Sequence, residues 1–180
     1  MIETQNRIRV LYILGWGRSG STILGNILGE LDDFIHVGEV RTVWDSALEG
    51  MRCGCGEPVP KCPLWSEVLE QVLADEEDHR DVALREWIAL RERVDRTRYV
   101  PPLLGMGTRA LEPFLSRHLR HLAALYRAIR QVTGCRMIVD SSKMPSHALL
   151  LGMLPGVELY MVHLVRDPRA TAYAWRKFRP

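Results

Sequence analysis

The chain has 180 residues, 47% of them hydrophobic and 26% charged, with a formal net charge of +2 at pH 7. These totals predict one globular domain spanning residues 1–180 and argue against a disordered chain. The near-neutral charge gives no reason to expect a nucleic acid or a membrane surface as partner. The polar stretch 1–9 lacks the apolar core of a signal peptide, and the longest apolar run, 148–165, is interrupted by proline, glycine and glutamate. A cytoplasmic protein is therefore expected.

The first predicted strand, 8–14, is a short apolar run (IRVLYIL) that ends in the glycine-rich segment 15–20. A helix is predicted from Ser21, because the apolar residues then follow a helical period. They are Ile23, Leu24, Ile27, Leu28 and Leu31, which share one helical face. A second apolar run, 34–37, ends at Gly38-Glu39 and predicts a second strand.

Helical patterns follow at 42–49, 64–73, 82–94 and 111–132, and the proline-containing stretch 96–107 is predicted to be a connector. A third strand is predicted at 137–139, followed by the polar turn DSSK, a helix over 146–154, a fourth strand over 157–165 and a last helix to Lys177. Such alternation predicts a three-layer α/β/α domain with a central parallel sheet covered on both faces, whose phosphate-binding loop follows the first strand.

Polar residues follow the predicted strands at their carboxyl ends. In an open parallel sheet these ends meet at one edge, where the ligand crevice lies. Arg18, Glu39, Lys143 and Arg166 are therefore expected to gather there, although they are far apart in the sequence.

The segment 15–22 (GWGRSGST) has the spacing of a phosphate-binding loop. Glycines in such a loop let backbone N–H groups point inward, and the start of the following helix adds its positive end. A loop that binds a nucleoside triphosphate needs lysine at position 21. This chain has Ser21 there and carries its cation at Arg18. The alternative is an ordinary glycine turn, but such a turn does not require Arg18, Ser19, Ser21 and Thr22 together.

Several segments in this order are similar to one enzyme family. Arg18-Ser-Gly-Ser-Thr22 resembles a 5′-phosphosulfate loop, and Arg166-Asp-Pro-Arg-Ala170 resembles a 3′-phosphate motif. VDSSK at 139–143 and the CGCG…CPLW segment at 53–65 also look like bacterial members of that family. The chain, from residue 8 to residue 177, thus resembles the sulfotransferases that use 3′-phosphoadenosine-5′-phosphosulfate (PAPS), including the protein-tyrosine and carbohydrate sulfotransferases.

The resemblance implies an enzyme that transfers a sulfuryl group from PAPS to a hydroxyl or amine. It implies Glu39 as the general base, with Lys143 and Arg18 stabilising the transferring group. Arg166 is implied to hold the 3′-phosphate. The residues implied to hold the 5′-phosphosulfate are Gly17, Arg18, Ser19, Gly20, Ser21 and Thr22. The implied acceptor is a small molecule, a carbohydrate or a peptide, and no metal is required because arginine and lysine supply the countercharge.

Each assignment has a structural alternative. Glu39 could cap the following helix or pair with Arg41, and Lys143 could be a solvated loop lysine. His36, His147 and His163 are alternative bases, although His163 lies inside an apolar strand and is predicted to be a core histidine. The charged residues of 80–98 are predicted to form a solvated helix face.

Two features depart from the family pattern. Relatives carry a serine where this chain has Ala174, and they continue beyond the position of Pro180, so the chain is interpreted as a fragment, a truncated form or a degenerate member. Two other functions therefore stay open. One is a P-loop nucleotide kinase or NTPase with Asp140 as its magnesium ligand, and the other is a non-catalytic nucleotide-binding module.

Cys53, Cys55 and Cys62 lie close together in the sequence. Zinc sites usually show paired C-x-x-C spacing, whereas this C-x-C with a single third cysteine does not supply four ligands locally. No metal is expected, and a local disulfide or reduced thiols in a tight turn are favoured.

Overall fold

The computed structural model describes residues 7–106 and 111–176, except for the side chains of residues 77 and 78. The strands are β1 (Ile8–Gly15), β2 (Phe34–His36), β3 (Met137–Lys143) and β4 (Val157–Leu164). The helices are α1 (Ser21–Gly29), α2 (Val43–Glu49), α3 (Pro63–Val72), α4 (Arg80–Val94), α5 (Val100–Leu103), α6 (Glu112–Thr133), α7 (Pro145–Gly152) and α8 (Pro168–Arg176). Short 3₁₀ turns at Val40–Thr42, Val59–Lys61, Ala74–His79 and Thr97–Tyr99 connect several of them.

The four strands form one parallel sheet in the order β2-β3-β1-β4. The chain passes from β1 across β3 to reach β2, and in the opposite direction from β3 across β1 to reach β4. Because such crossovers are right-handed, α1 and α7 lie on opposite faces of the sheet. The predicted three-layer α/β/α architecture is confirmed. The connections that leave β1 and β3 run in opposite directions along the sheet. Open α/β sheets bind ligands at such a point, between the two strands.

Strand β3 is longer than the sequence predicts, because the polar residues after Val139 continue the strand to Lys143. Asp140, Ser141 and Ser142 are at most 3% exposed. The Asp140 carboxylate accepts hydrogen bonds from the Tyr126 hydroxyl and from the backbone N–H of Ser142. Buried polar groups persist in a strand when they are paired in this way, so the predicted turn is wrong.

Helix α1 presents small residues to the sheet. Ser21 and Gly25 are its buried residues, and a Cβ atom at Gly25 would overlap the His36 ring on β2. Ile23 and Ile27 are 68% and 61% exposed. The helix itself is predicted correctly, but its predicted apolar face packs only in part, because Leu24 and Leu28 are half-buried.

His163 lies on β4, which is an outer strand of the described sheet, and its side chain is exposed. The expectation of a core histidine is therefore wrong. An edge strand is covered less completely than a central one, so an apolar run does not guarantee that every residue in it is buried.

Helices α2, α3, α4 and α6 pack together beside the sheet, and three tryptophans lie in the hydrophobic core: Trp44, Trp65 and Trp87. Within this layer Arg91 is only 5% exposed, and its guanidinium pairs with Asp45. The prediction that the charged residues of 80–98 form a solvated face is therefore wrong at Arg91. A buried guanidinium is tolerated because Asp45 and the carbonyl of Arg41 accept its hydrogen bonds.

The connector after Arg96 contains the short helix α5 instead of lacking regular structure. Its last predicted residue, Gly107, and the predicted end of the last helix, Lys177, lie outside the described residues. Among the helices that the structure describes, none has both the length and the apolar composition needed to cross a membrane.

Candidate functional site

The glycine-rich loop connects the end of β1 to the start of α1 at the edge of the sheet where the ligand crevice is expected. Gly20 precedes α1 with a φ of 101°, a conformation that a residue with a side chain rarely adopts. Arg18 also has a positive φ, of 68°, and a non-glycine residue in this region is a strained feature that often marks a functional site. The loop therefore places the N-terminus of α1, with its unpaired backbone N–H groups, at the edge of the sheet.

Two polar side-chain atoms in this loop are buried and lack a hydrogen-bond partner among the described residues. They are the Arg18 Nε and the Ser19 Oγ. Leaving a buried polar group unpaired costs about 1–3 kcal/mol. Arg18 also lines the cavity at this loop, so an anion bound there would supply an acceptor oxygen for its Nε.

Arg166 brings a second guanidinium to the same loop. It follows β4, which pairs with β1 up to Gly15 opposite Leu164. Its Nη1 donates a hydrogen bond to the carbonyl oxygen of Arg18 at 2.7 Å. Arg18 and Arg166 are 148 residues apart in the sequence. The pairing of β1 with β4 brings them next to each other in the fold.

Trp175, on α8, covers the loop from the other side. The Arg18 guanidinium carbon lies 5.2 Å from the centre of its ring, a cation–π arrangement. A Cβ atom at Gly17 would come within 2.7 Å of the same ring. Glycine at position 17 therefore allows α8 to approach the loop closely.

Glu39 and Lys143 form an ion pair at the ends of β2 and β3, where the Lys143 Nζ donates to the Glu39 Oε1. The Nζ also donates to the carbonyl oxygen of Ser141 at 2.9 Å. The Lys143 side chain is 15% exposed and that of Glu39 is 49% exposed, so the lysine is held in place and the carboxylate is open to a ligand. Glu39 caps no helix through its side chain. Arg41, its alternative partner, pairs with Asp95 instead.

A buried carboxylate, Asp95, ties together the two segments that carry this ion pair. Its Oδ2 accepts a hydrogen bond from the Arg41 Nε at 2.9 Å and lies 3.0 Å from the His147 Nδ1. Its Oδ1 accepts a hydrogen bond from Ser146 at 2.5 Å. The Arg41 backbone N–H donates in turn to Ser142 at 3.0 Å. The segment after β2 and the segment after β3 are thereby fixed relative to each other.

Burial alone would raise the pKa of Asp95. The hydrogen bond and the charge of His147, together with the charge of Arg41, outweigh burial and lower the pKa to about 2. Asp95 is therefore ionised throughout the neutral range, and its negative charge balances the partly buried Arg41. The sequence carries no motif that singles out Asp95, because its partners are distant in the chain and the residue ends an ordinary charged helix.

One cavity of about 690 Å³ joins these features. Its lining residues are Gly17, Arg18, Gly20, Ser21, Thr22, Ile23, Glu39, Lys143, Arg166, Ala174 and Trp175. The loop amides and both arginines lie on its walls, and the Glu39 carboxylate with Lys143 completes the lining. The cavity therefore combines an anion-binding wall with a carboxylate that can accept a proton.

The comparison with known proteins agrees with this arrangement. The model of the family described as "Sulfotransferase family" matches residues 11–177. The chain belongs to the sulfotransferase family. No curated protein and no solved structure matches it. The matched range includes the loop, the Glu39–Lys143 pair and Arg166.

In this member of the sulfotransferase family, the residues expected to form the site line the cavity, except for Ser19. Ser19 is absent from the cavity lining, and its hydroxyl is buried inside the loop. The alternative bases are absent from the lining as well. His36 lies between Asn26 and Ser141, His147 is buried against Asp95, and His163 lies on the outer strand.

Sequence reasoning missed one cavity residue that contacts the loop, Trp175. No motif marks it, because a tryptophan near the end of an amphipathic helix is ordinarily read as a packing residue. Its contact with Arg18 depends on the placement of α8 beside the loop, which only the fold reveals.

Proposed function

We propose that the protein transfers the sulfuryl group of PAPS to a hydroxyl or amine of an acceptor, with Glu39 as the general base. The acceptor is a small molecule, a carbohydrate or a peptide. The observation that carries the proposal is the cavity itself, because unpaired donors of the phosphate loop, a second arginine and a half-exposed carboxylate line or adjoin one space.

The loop residues and Arg166 would hold the two anionic ends of the donor. The N–H groups at the start of α1 and the guanidinium of Arg18 face the space suited to the 5′-phosphosulfate. Arg166 lies beside the loop, and Ala174 and Trp175 also line the cavity, which suits the 3′-phosphate and the remainder of the nucleotide. The donor supplies an activated sulfuryl group whose leaving group is 3′-phosphoadenosine-5′-phosphate.

In this proposal Glu39 takes the proton of the acceptor. Its carboxylate is 49% exposed at the cavity, and one of its oxygens is held by Lys143. As the acceptor oxygen or nitrogen bonds to sulfur, its proton passes to the Glu39 carboxylate. The Lys143 ammonium lies beside this carboxylate and can stabilise the negative charge that develops on the transferring group.

The kinase or NTPase alternative fits the structure less well. It requires a lysine at position 21, where the chain has a buried serine. It also requires a carboxylate available to magnesium at a strand end. Asp140 is fully buried, and its oxygens accept hydrogen bonds from Tyr126 and Ser142. The residue that would have to bind magnesium is therefore engaged in the core.

The proposal is tested by single-turnover transfer from radiolabelled PAPS to a panel of phenols, sugars, amines and tyrosine peptides. Glu39→Gln keeps the size of the side chain but removes its basicity, and it should lower the transfer rate by about 10²-fold or more. Affinity for 3′-phosphoadenosine-5′-phosphate, measured by calorimetry, should remain within about twofold of that of the parent chain.

The results separate the three functions. Transfer that survives in Glu39→Gln would contradict the role of Glu39. Tighter binding of ATP with magnesium than of 3′-phosphoadenosine-5′-phosphate would favour the kinase alternative. Tight binding of 3′-phosphoadenosine-5′-phosphate without transfer to any member of the panel would favour the non-catalytic module.

A further inference from the structure

Three cysteine thiols converge outside the cavity, in the segment between α2 and α3. The Cys62 Sγ lies 3.5 Å from the Cys53 Sγ and 3.6 Å from the Cys55 Sγ. All three sulfurs lie within 4.8 Å of one another. Cys62 also belongs to the hydrophobic core, and Cys53 packs against it, but the proposed reaction does not use this group of three thiols.

We propose that Cys53, Cys55 and Cys62 bind one Zn²⁺ ion as three thiolate ligands, with the fourth position open to a water molecule. In a tetrahedral site with Zn–S bonds of about 2.3 Å, neighbouring sulfurs are separated by about 3.8 Å. The two measured separations are within 0.3 Å of that value. A metal ion can therefore enter with small side-chain movements.

Backbone hydrogen bonds fix the segment that carries Cys53 and Cys55, without a metal. Arg52 and Pro58 form a bridge between antiparallel segments, and the Cys53 N–H donates to the carbonyl oxygen of Glu57 at 2.8 Å. The turn between them is closed by a hydrogen bond of 2.9 Å from the Gly56 N–H to the Cys53 carbonyl oxygen. Cys53 and Cys55 are thus presented on one tight turn.

Cys62 follows this turn in the chain and is buried. It is 3% exposed and precedes α3 at its N-cap position. Its N–H donates to the carbonyl oxygen of Pro58 at 2.9 Å. The buried sulfur and the two sulfurs of the turn therefore meet in a fixed geometry.

The electrostatics favour a divalent cation bound by thiolates. Three thiolates and Zn²⁺ carry a net charge of about −1, and two basic residues, Arg52 and Lys61, each lie next to a ligand in the sequence.

The fourth position is left to solvent. Among the residues that the structure describes, no histidine, aspartate or glutamate joins the three cysteines within ligand distance. Cys55 is exposed, so the open side of the cluster faces water. An open position distinguishes this site from closed four-cysteine structural sites and makes the bound metal exchangeable.

Titration of the full-length chain, reduced and freed of metal, with Co²⁺ tests the proposal, because Co²⁺ bound to thiolates gives a strong charge-transfer absorption band. We expect one equivalent of Co²⁺ to develop the band and Zn²⁺ to displace it. Zn²⁺ should also raise the melting temperature. Cys55→Ser, at an exposed position, should weaken Co²⁺ binding by more than about tenfold, and Cys62→Ser should abolish the band.

Cys135→Ser is the matched control, since Cys135 is the remaining cysteine and lies buried at the start of β3. This variant should keep the full band. A parent chain that gives no band, or a Cys55→Ser variant that gives an undiminished one, would overturn the proposal. So would mass spectrometry showing that the chain, purified without reductant, carries a disulfide between Cys62 and either of the other two cysteines.

Discussion

At the scale of single residues, Arg18 combines three features that rarely occur together. Its backbone has a positive φ, its Nε is buried without a partner among the described residues, and its guanidinium lies over Trp175. Each feature costs free energy or restricts the side chain in the free protein. An anionic ligand offsets these costs, and for this reason a strained arginine is informative about function.

Arg18→Ala should weaken binding of 3′-phosphoadenosine-5′-phosphate by about 2–4 kcal/mol, because it removes a charge partner from a partly enclosed phosphate. Isothermal titration calorimetry measures the change. Arg85→Ala, on the exposed surface of α4, should alter the affinity little. Equal losses in the two variants would show that general positive charge, and not the loop, binds the nucleotide.

Ala174 and Arg166 both line the cavity. Ala174→Ser would introduce a hydroxyl donor there and should tighten binding of 3′-phosphoadenosine-5′-phosphate by about 0.5–2 kcal/mol. AMP, which lacks the 3′-phosphate, is the matched ligand and should gain nothing. If both ligands gain equally in a competition assay, the 3′-phosphate does not lie near Arg166.

At the scale of elements, the distance between α1 and the sheet is set by glycine. Gly25 and Gly29 both face His36, and a Cβ atom at Gly29 would lie 2.9 Å from the His36 Cβ. Since α1 begins at the phosphate loop, this close packing also fixes the position of the helix N-terminus. The separation between helix and sheet is therefore part of the site.

Gly25→Ala should lower the free energy of unfolding by about 1–3 kcal/mol, because the added methyl group overlaps the His36 ring. Urea denaturation at neutral pH measures this change. Gly152→Ala in α7 is the control, since the nearest atom to its Cβ is 3.9 Å away, and it should be neutral or gain up to about 1 kcal/mol. Equal stability of the two variants would mean that α1 moves outward at no cost.

Most elements can be predicted from the sequence, because apolar period and glycine positions report local conformation directly. The errors have a common physical origin. Asp140 stays in a strand because Tyr126, 14 residues away, donates to it, and Arg91 is buried because Asp45 pairs with it. His163 is exposed because of the position of its strand in the sheet. Such outcomes depend on partners that are remote in the chain.

The candidate site follows the same rule. The loop and the convergence of Arg18, Glu39, Lys143 and Arg166 could be predicted, because strand ends of a parallel sheet meet at one edge. The Lys143–Glu39 ion pair, the supporting Asp95 network and the contact of Trp175 could not, because each depends on side-chain placement across elements.

At the scale of the whole molecule, buried histidines link stability to pH. His118 is 2% exposed, and neither of its ring nitrogens has a partner among the described residues. Burial lowers its pKa to about 3, and burial also lowers the pKa of His121 to about 4. The unfolded chain therefore binds protons below about pH 6.5 that the folded protein does not, so stability falls as the pH drops through this range.

His118→Phe should flatten this dependence. In the parent chain, protonation of this histidine in the unfolded state costs about 2 kcal/mol of stability at pH 5 relative to pH 7. The variant lacks the titrating ring, so its loss between these two pH values should be smaller by about that amount. Urea denaturation at both pH values measures it. An unchanged difference would show that His118 does not limit stability in acid.

The pairing of β4 with β1 has a consequence for synthesis of the chain. The partners run from Ile8 opposite Val157 to Gly15 opposite Leu164, so β1 lacks this neighbour until the chain has been synthesised through Leu164. An unpaired apolar strand edge is a template for intermolecular pairing. A nascent chain paused before β4 therefore presents an aggregation-prone edge. When β4 pairs with β1 it covers this edge, and the same pairing brings Arg166 to the phosphate loop.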